Sequence, residues 1–192
     1  MAATANGLKS AKERMVDSTP YMLNLLHLVG PGGAGKTSVG PLLGAKLGWD
    51  FIDLDLEFMR QEGEISEFIS RHGYDGYARR NVATYLSLRS RIPSSAVIAL
   101  SSGFLTYGIG IVSSYRSVLQ DVKSGALTSL LLPSFELEPC VETIVRRQLA
   151  RAYLAGNRAR EEQRIRERFP IFAAVACARF RSDVAPAQLA SD

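Results

Sequence analysis

The sequence is poor in cysteine, has no long apolar run and carries no strong charge of one sign. Its 2 cysteines, Cys140 and Cys177, are too few for a disulfide framework, and their apolar surroundings suit reduced thiols in a core. A reducing compartment, the cytoplasm, is therefore expected. No apolar stretch approaches the roughly 18 residues of a membrane-spanning helix, and residues 1–20 lack a signal-peptide core, so no membrane partner is expected. The 2 histidines, His27 and His72, form no metal-binding pair. The net charge of +4 has a local source, because Arg146, Arg147, Arg151, Arg158, Arg160, Arg164, Arg166 and Arg168 crowd one segment. Glu161, Glu162 and Glu167 interleave there and stacking aromatics are few, so Arg158, Arg160, Arg164 and Arg166 read as a solvated face and the segment does not read as a nucleic-acid surface. Internal repeats and low-complexity segments are absent as well.

What remains is a chain of 192 residues, 46% hydrophobic and 22% charged, the composition of one ordinary globular domain. Residues 1–20, rich in Ala, Ser, Lys and Glu and closed by Thr19-Pro20, read as a flexible extension, leaving 21–192 as the single domain. Glu13 and Asp17 in that extension speak against an amphipathic targeting peptide, which avoids acid.

The strongest signal is Gly30-Pro31-Gly32-Gly33-Ala34-Gly35-Lys36-Thr37-Ser38, which fits G-x-x-x-x-G-K-[ST]. Glycines let backbone N–H groups close around phosphate oxygens, Lys36 can reach the β and γ phosphates, and the Thr37 hydroxyl can ligate Mg²⁺. The flanks agree: an apolar run over 22–29 suits a strand buried on both faces, and Val39, Leu42, Leu43, Ala45 and Leu47 trace a helix that Gly48 stops.

Strands are predicted at 22–29, 50–53, 95–101, 127–133 and 174–181, with helices at 36–47, 55–71, 74–91, 112–123, 137–154 and 159–173. This alternation predicts an α/β fold, a three-layer arrangement around a five-stranded parallel sheet with right-handed crossovers. After the second strand comes Asp53-Leu54-Asp55, where open α/β sheets place their ligands. Extended-chain spacing would aim both carboxylates one way, toward a Mg²⁺ shell or a reacting hydroxyl. The plainer alternative is that Asp55 only caps the next helix.

With these elements in view, the chain from about residue 22 to 186 resembles the shikimate kinase family of P-loop enzymes. The resemblance implies ATP as phosphoryl donor, Mg²⁺, and a small hydroxylated acid as acceptor, shikimate by default. Gly30, Gly32, Gly33, Ala34, Gly35, Lys36, Thr37 and Ser38 would bind ATP, with Thr37 and Asp53 at the metal and Asp55 on the acceptor hydroxyl. The segment 55–91 would be the substrate-binding part. Counted from Gly73, the family's substrate-carboxylate arginine falls on Ala78; counted from Asp55 it falls on Arg79, which is the residue assigned. Ser101-Ser102-Gly103 stands where the family has a glycine triplet, making Ser102 and Gly103 candidate substrate contacts. Arg151-Ala152-Tyr153-Leu154 resembles the lid element, placed at 148–160, with Arg151 over the transferring phosphate. Arg168-Phe169-Pro170-Ile171-Phe172 resembles R-x-P-L-Y, which makes Arg168 the second carboxylate arginine. Arg181 to Pro186 occupies the place of the adenine loop, and the usual last helix is nearly absent.

Lys36, Asp55 and Arg151 are thus the expected catalytic set. A small-molecule kinase is the leading reading, compatible with a monomer, and the oligomeric state stays open. A nucleotide-binding regulator or degenerate kinase, or a kinase for another small acid, stays open, because the glycine triplet and the arginine at Ala78 are altered.

Overall fold

The computed structural model describes residues 24–93, 95–125, 127–150 and 157–191. Expectations for 1–20 and for Arg151 lie outside these residues, as does most of the expected lid, residues 151–156. Five strands, β1 (Leu25–Val29), β2 (Asp50–Asp53), β3 (Ala96–Ala99), β4 (Thr128–Leu132) and β5 (Ala178–Arg181), form one parallel sheet in the order β2-β3-β1-β4-β5. The expected α/β architecture is present. β1 is central, and Leu28 and Val29 there, like all of β3, are buried, which explains why these strands read as unbroken apolar runs.

The helices are α1 (Lys36–Leu47), α2 (Leu54–Glu62), α3 (Ile65–Arg91), α4 (Tyr115–Ser124), α5 (Leu137–Leu149), α6 (Arg158–Ala173) and a single turn, α7 (Pro186–Leu189). α1 packs on β2 and β3, α4 on β4, and α5 against α6. Aromatic rings that are fully buried, Phe58, Tyr85, Phe104, Tyr115 and Phe172, fill the layers between helices and sheet. Each such ring contributes about 2–3 kcal/mol of transfer free energy.

Several boundaries differ from expectation, and three of the differences have a local cause. The helix predicted over 55–71 breaks at Gly63, and Glu64 restarts it by accepting hydrogen bonds from the Ser66 and Glu67 amides. The break predicted at Gly73 is instead a kink: Gly73 takes φ +71°, a left-handed value, inside an otherwise continuous α3. β5 begins at Ala178, not 174, because α6 runs on to Ala173 and its last carbonyls are closed by the amides of Ala174 and Val175.

The register brings the carboxyl ends of three strands level. Leu28 lies opposite Ala99, and Ala99 opposite Asp53, so residues 30, 101 and 55 all leave the sheet at one edge. β1 has β3 on one side and β4 on the other, the crossover reversal where such sheets form a crevice.

Candidate active site

The phosphate loop begins where β1 ends. Gly30 has φ +145°, and a Cβ there would lie 2.4 Å from the Leu131 carbonyl of β4, so only glycine lets the loop pass so close to the sheet. Lys36 opens α1 and donates from Nζ to the carbonyls of Gly30 (2.7 Å) and Pro31 (3.0 Å), folding its ammonium over the loop. The first turn of α1 carries no acidic residue and no side-chain cap, which leaves its amides and positive dipole end for an anion. Arg147 of α5, which sequence reasoning left in the basic patch, donates to the Gly33 carbonyl (3.1 Å) and the Ser182 carbonyl (2.6 Å). It ties the phosphate loop to the segment after β5.

Asp53 ends β2 and performs two tasks. Its Oδ1 caps α2, accepting from the amides of Asp55 (2.9 Å) and Leu56 (3.3 Å), while its Oδ2 accepts from the Thr37 hydroxyl (2.7 Å). The capping role weighed for Asp55 therefore belongs to Asp53. The extended-chain argument for aiming both carboxylates alike also fails, because the chain is already helical at Leu54. Among the described residues no cluster of three or more His, Cys, Asp or Glu forms a metal cage. The Thr37–Asp53 pair, two oxygen donors beside the loop, fits a hard divalent cation that takes its remaining ligands from phosphate and water.

Asp55, in the first turn of α2, turns the other way. Its Oδ1 accepts from Ser101 Oγ (2.5 Å) and, at longer range, from the Tyr77 hydroxyl (3.4 Å). Burial raises its pKa above the ordinary carboxylate range and the Asp53 charge adds to this, while the hydrogen bond from Ser101, the charge of Lys36 and the bond from Tyr77 oppose it. Burial likewise pushes the Tyr77 and Tyr107 phenols up, so both remain hydrogen-bond donors at neutral pH.

Beyond Asp55 stands an aromatic wall. Tyr74, Tyr77 and Asn81 follow the Gly73 kink at helical spacing on one side of α3. Tyr107 meets Tyr74 and Tyr77 at ring centroid distances of 6.0 and 6.3 Å. Arg168 of α6 donates to the Tyr74 hydroxyl (3.0 Å), which sits over Gly103, where a Cβ would be 2.4 Å away. Ser102 lines a cleft with Pro31, Gly32, Gln148, Arg164 and Arg168. Arg164, read from sequence as solvated, thus borders the site while paired with Glu161 (2.7 Å).

Arg79, expected to bind the substrate, does not join this group. Gly73 is the one non-helical residue of α3, so no local shift rotates Arg79; it sits about 200° around the helix from Tyr77 and is exposed. Ala78 is 1% exposed and part of the core, so neither count brings an arginine from this helix to the site. Of the expected residues, the loop, Lys36, Thr37, Asp53, Asp55, Ser102, Gly103 and Arg168 are gathered at the carboxyl edge of the sheet. Tyr77 and Asn81 were findable from the spacing after Gly73, and Ser101 was marked by its place in the altered glycine triplet, but Tyr107 and Arg147 had no local signal.

A family profile described as shikimate kinase matches residues 32–191. The chain belongs to the shikimate kinase family. A shikimate kinase of Chlorobium phaeobacteroides (strain BS1) is 37% identical over 83 residues, which are 43% of this chain and 41% of that protein. Shikimate kinase 2 of Yersinia enterocolitica serotype O:8 / biotype 1B (strain NCTC 13174 / 8081) is 36% identical over 84 residues, 43% of this chain and 46% of the relative. These matches therefore span less than half the length of the curated relatives. Among solved structures, shikimate kinase from Acinetobacter baumannii in complex with shikimate is 28% identical with a TM-score of 0.68, covering 88% of this chain and 89% of that one. Shikimate kinase from Bacteroides thetaiotaomicron, 20% identical with a TM-score of 0.64 over 83% of this chain and 87% of that one, shares the fold. Among the described residues no helix is long and apolar enough to cross a membrane.

Proposed function

We propose that this chain transfers the γ-phosphoryl group of ATP to a hydroxyl of shikimate. The observation that carries the proposal is an unbroken series of contacts across the site. Thr37 bonds Asp53, Asp53 caps the turn that holds Asp55, Asp55 meets Ser101 and Tyr77, Tyr77 packs on Tyr74, and Tyr74 bonds Arg168. A phosphate cradle at one end and a cation at the other suit a donor and an acidic acceptor placed on either side of Asp55. The solved relative with bound shikimate supports the choice of acceptor.

In this scheme the loop amides and Lys36 hold the phosphates, and Arg168, with the Tyr74 hydroxyl, takes the acceptor carboxylate. Asp55 receives the proton of the hydroxyl as its oxygen bonds the γ-phosphorus, the β–γ bridge breaks, and the electron pair leaves with ADP. Thr37 and Asp53 would hold Mg²⁺, which neutralises charge on the transferring phosphates when bound. The monomer is the proposed acting unit and the cytoplasm its proposed compartment.

One observation favours a second acceptor class: of the arginines assigned to the substrate, Arg168 alone reaches the site, with Ala78 in the core. A coupled ADP-release assay with shikimate and a panel of other hydroxylated acids separates the readings. Steady release that depends on shikimate is expected. Release with another acid alone would move the assignment to that acid, and ATP binding without acceptor-dependent release would sink the kinase reading.

A further inference from the structure

Behind Asp55 lies a buried polar chain that the transfer scheme does not use. The Tyr107 hydroxyl donates to Asn81 Oδ1 (3.1 Å), Asn81 Nδ2 donates to Ser101 Oγ (2.9 Å), and Ser101 Oγ donates to Asp55 Oδ1 (2.5 Å). Asn81, Ser101 and Tyr107 are 0%, 4% and 5% exposed, so water offers them no alternative partners. With Asp55 ionised, as a proton acceptor must be, the direction is forced from one end. The carboxylate can only accept, so Ser101 must donate its proton to Asp55; it must then accept from the Asn81 amide, and the Asn81 carbonyl must face the Tyr107 donor. Three side chains from α3, the β3 exit and the turn after it thus agree on one orientation.

Both side-chain donors to Asp55, Ser101 and Tyr77, close on the same oxygen. Among the described residues no donor reaches Oδ2. We propose that Ser101, backed by Asn81 and Tyr107, is a positioning residue that pins the Asp55 carboxylate by Oδ1 and reserves Oδ2 for the acceptor hydroxyl. The inference rests on Asp55 being the proton acceptor of the proposed transfer. A hydroxyl where the family has glycine thereby becomes part of the catalytic apparatus and not merely a narrower pocket. Orientation matters because a misplaced reacting group costs rate even when both substrates stay bound.

The test compares the full-length parent with Ser101→Ala and Ser101→Thr. Ser101→Ala is expected to lower kcat by about tenfold or more, with KM for ATP and shikimate held within about twofold, and Ser101→Thr to restore most of the loss. An unchanged kcat, or a raised KM at unchanged kcat, overturns the proposal. Crystal structures of parent and Ser101→Ala give a readout that needs no acceptor: the Asp55 carboxylate keeps its orientation in the parent and loses it in the variant. The same orientation in both overturns the proposal. A parent inactive with shikimate counts against the proposed function alone, since the orientation measurement still decides the role of Ser101. Should Ser101→Ala not fold, Tyr107→Phe removes the last donor of the chain; a smaller kcat loss at constant KM is expected, and parental kcat overturns the proposal.

Discussion

Lys36 already lies within the loop that would receive phosphates, held by the carbonyls of Gly30 and Pro31. Lys36→Met keeps an unbranched apolar stem and removes the charge, so it is expected to abolish ADP release while circular dichroism stays native. Asp55→Asn keeps the shape of the carboxylate and removes its basicity. Its kcat should fall by about 100-fold or more, with ADP affinity measured by calorimetry within about threefold of the parent. Parental turnover in Asp55→Asn would remove the proton-accepting role. His27 supplies a prediction away from the site. It is buried on β1 with Nε2 at 2.9 Å from the Tyr85 hydroxyl, and its pKa is lowered to about 4, chiefly by burial and secondly by the charge of Arg89, with Asp121 opposing. The unfolded chain takes up this proton near pH 6.5 and the folded one only near pH 4. Stability from this residue is therefore full above about pH 6.5 and is lost as pH falls toward 4, by roughly 3 kcal/mol. Urea midpoints at pH 7 and pH 4.5 should differ less in His27→Gln than in the parent, and an equal difference would refute the assignment.

The kink at Gly73 connects helix geometry to acceptor binding. It redirects α3 so that Tyr74, Tyr77 and Asn81 face Asp55 and Tyr107, and its φ of +71° strains any residue with a Cβ. Gly73→Ala is expected to cost about 1–2 kcal/mol of stability and to raise KM for the acceptor more than KM for ATP, read from denaturant titration and steady-state kinetics. Equal effects on the two KM values would mean that the kink does not aim this wall. The same helix shows where sequence reading stops. α1 and β2 were legible to the residue, because an apolar run, a glycine-rich turn and a stopping Gly48 are local signals. The Asp53 and Asp55 pair was legible as a motif but not as geometry, since whether residue 54 is extended or helical depends on a cap made by Asp53 itself. The restart at Glu64 went unread because a glutamate cap competes poorly with the usual Ser, Thr, Asp and Asn. Asp55, Asn81, Ser101 and Tyr107 meet only through packing of α3 against the turn after β3, and no spacing along the chain records that.

The site draws on the β1 exit, the start of α2, α3, the β3 exit and α6, so a ligand there couples to unfolding of the whole chain and not to one loop. Anything that binds the folded form alone stabilises it by mass action, about 2.7 kcal/mol at a hundred times its Kd. For a protein of this size that corresponds to a rise in Tm of roughly 5–10 °C. ADP with Mg²⁺ is expected to produce such a rise in the parent and to produce little in Lys36→Met. Arg147 adds a second arm, because it joins the Gly33 carbonyl of the phosphate loop after β1 to the Ser182 carbonyl after β5, two strands that β4 separates in the sheet. Arg147→Ala leaves Lys36 and the loop amides in place but frees the loop from that tie, so more ordering must accompany binding. The ADP-induced rise should then shrink to about half, with the Tm of the unliganded variant reported separately to isolate the stability effect. A full parental rise in Arg147→Ala would show that the loop is organised for phosphate by β1 and α1 alone.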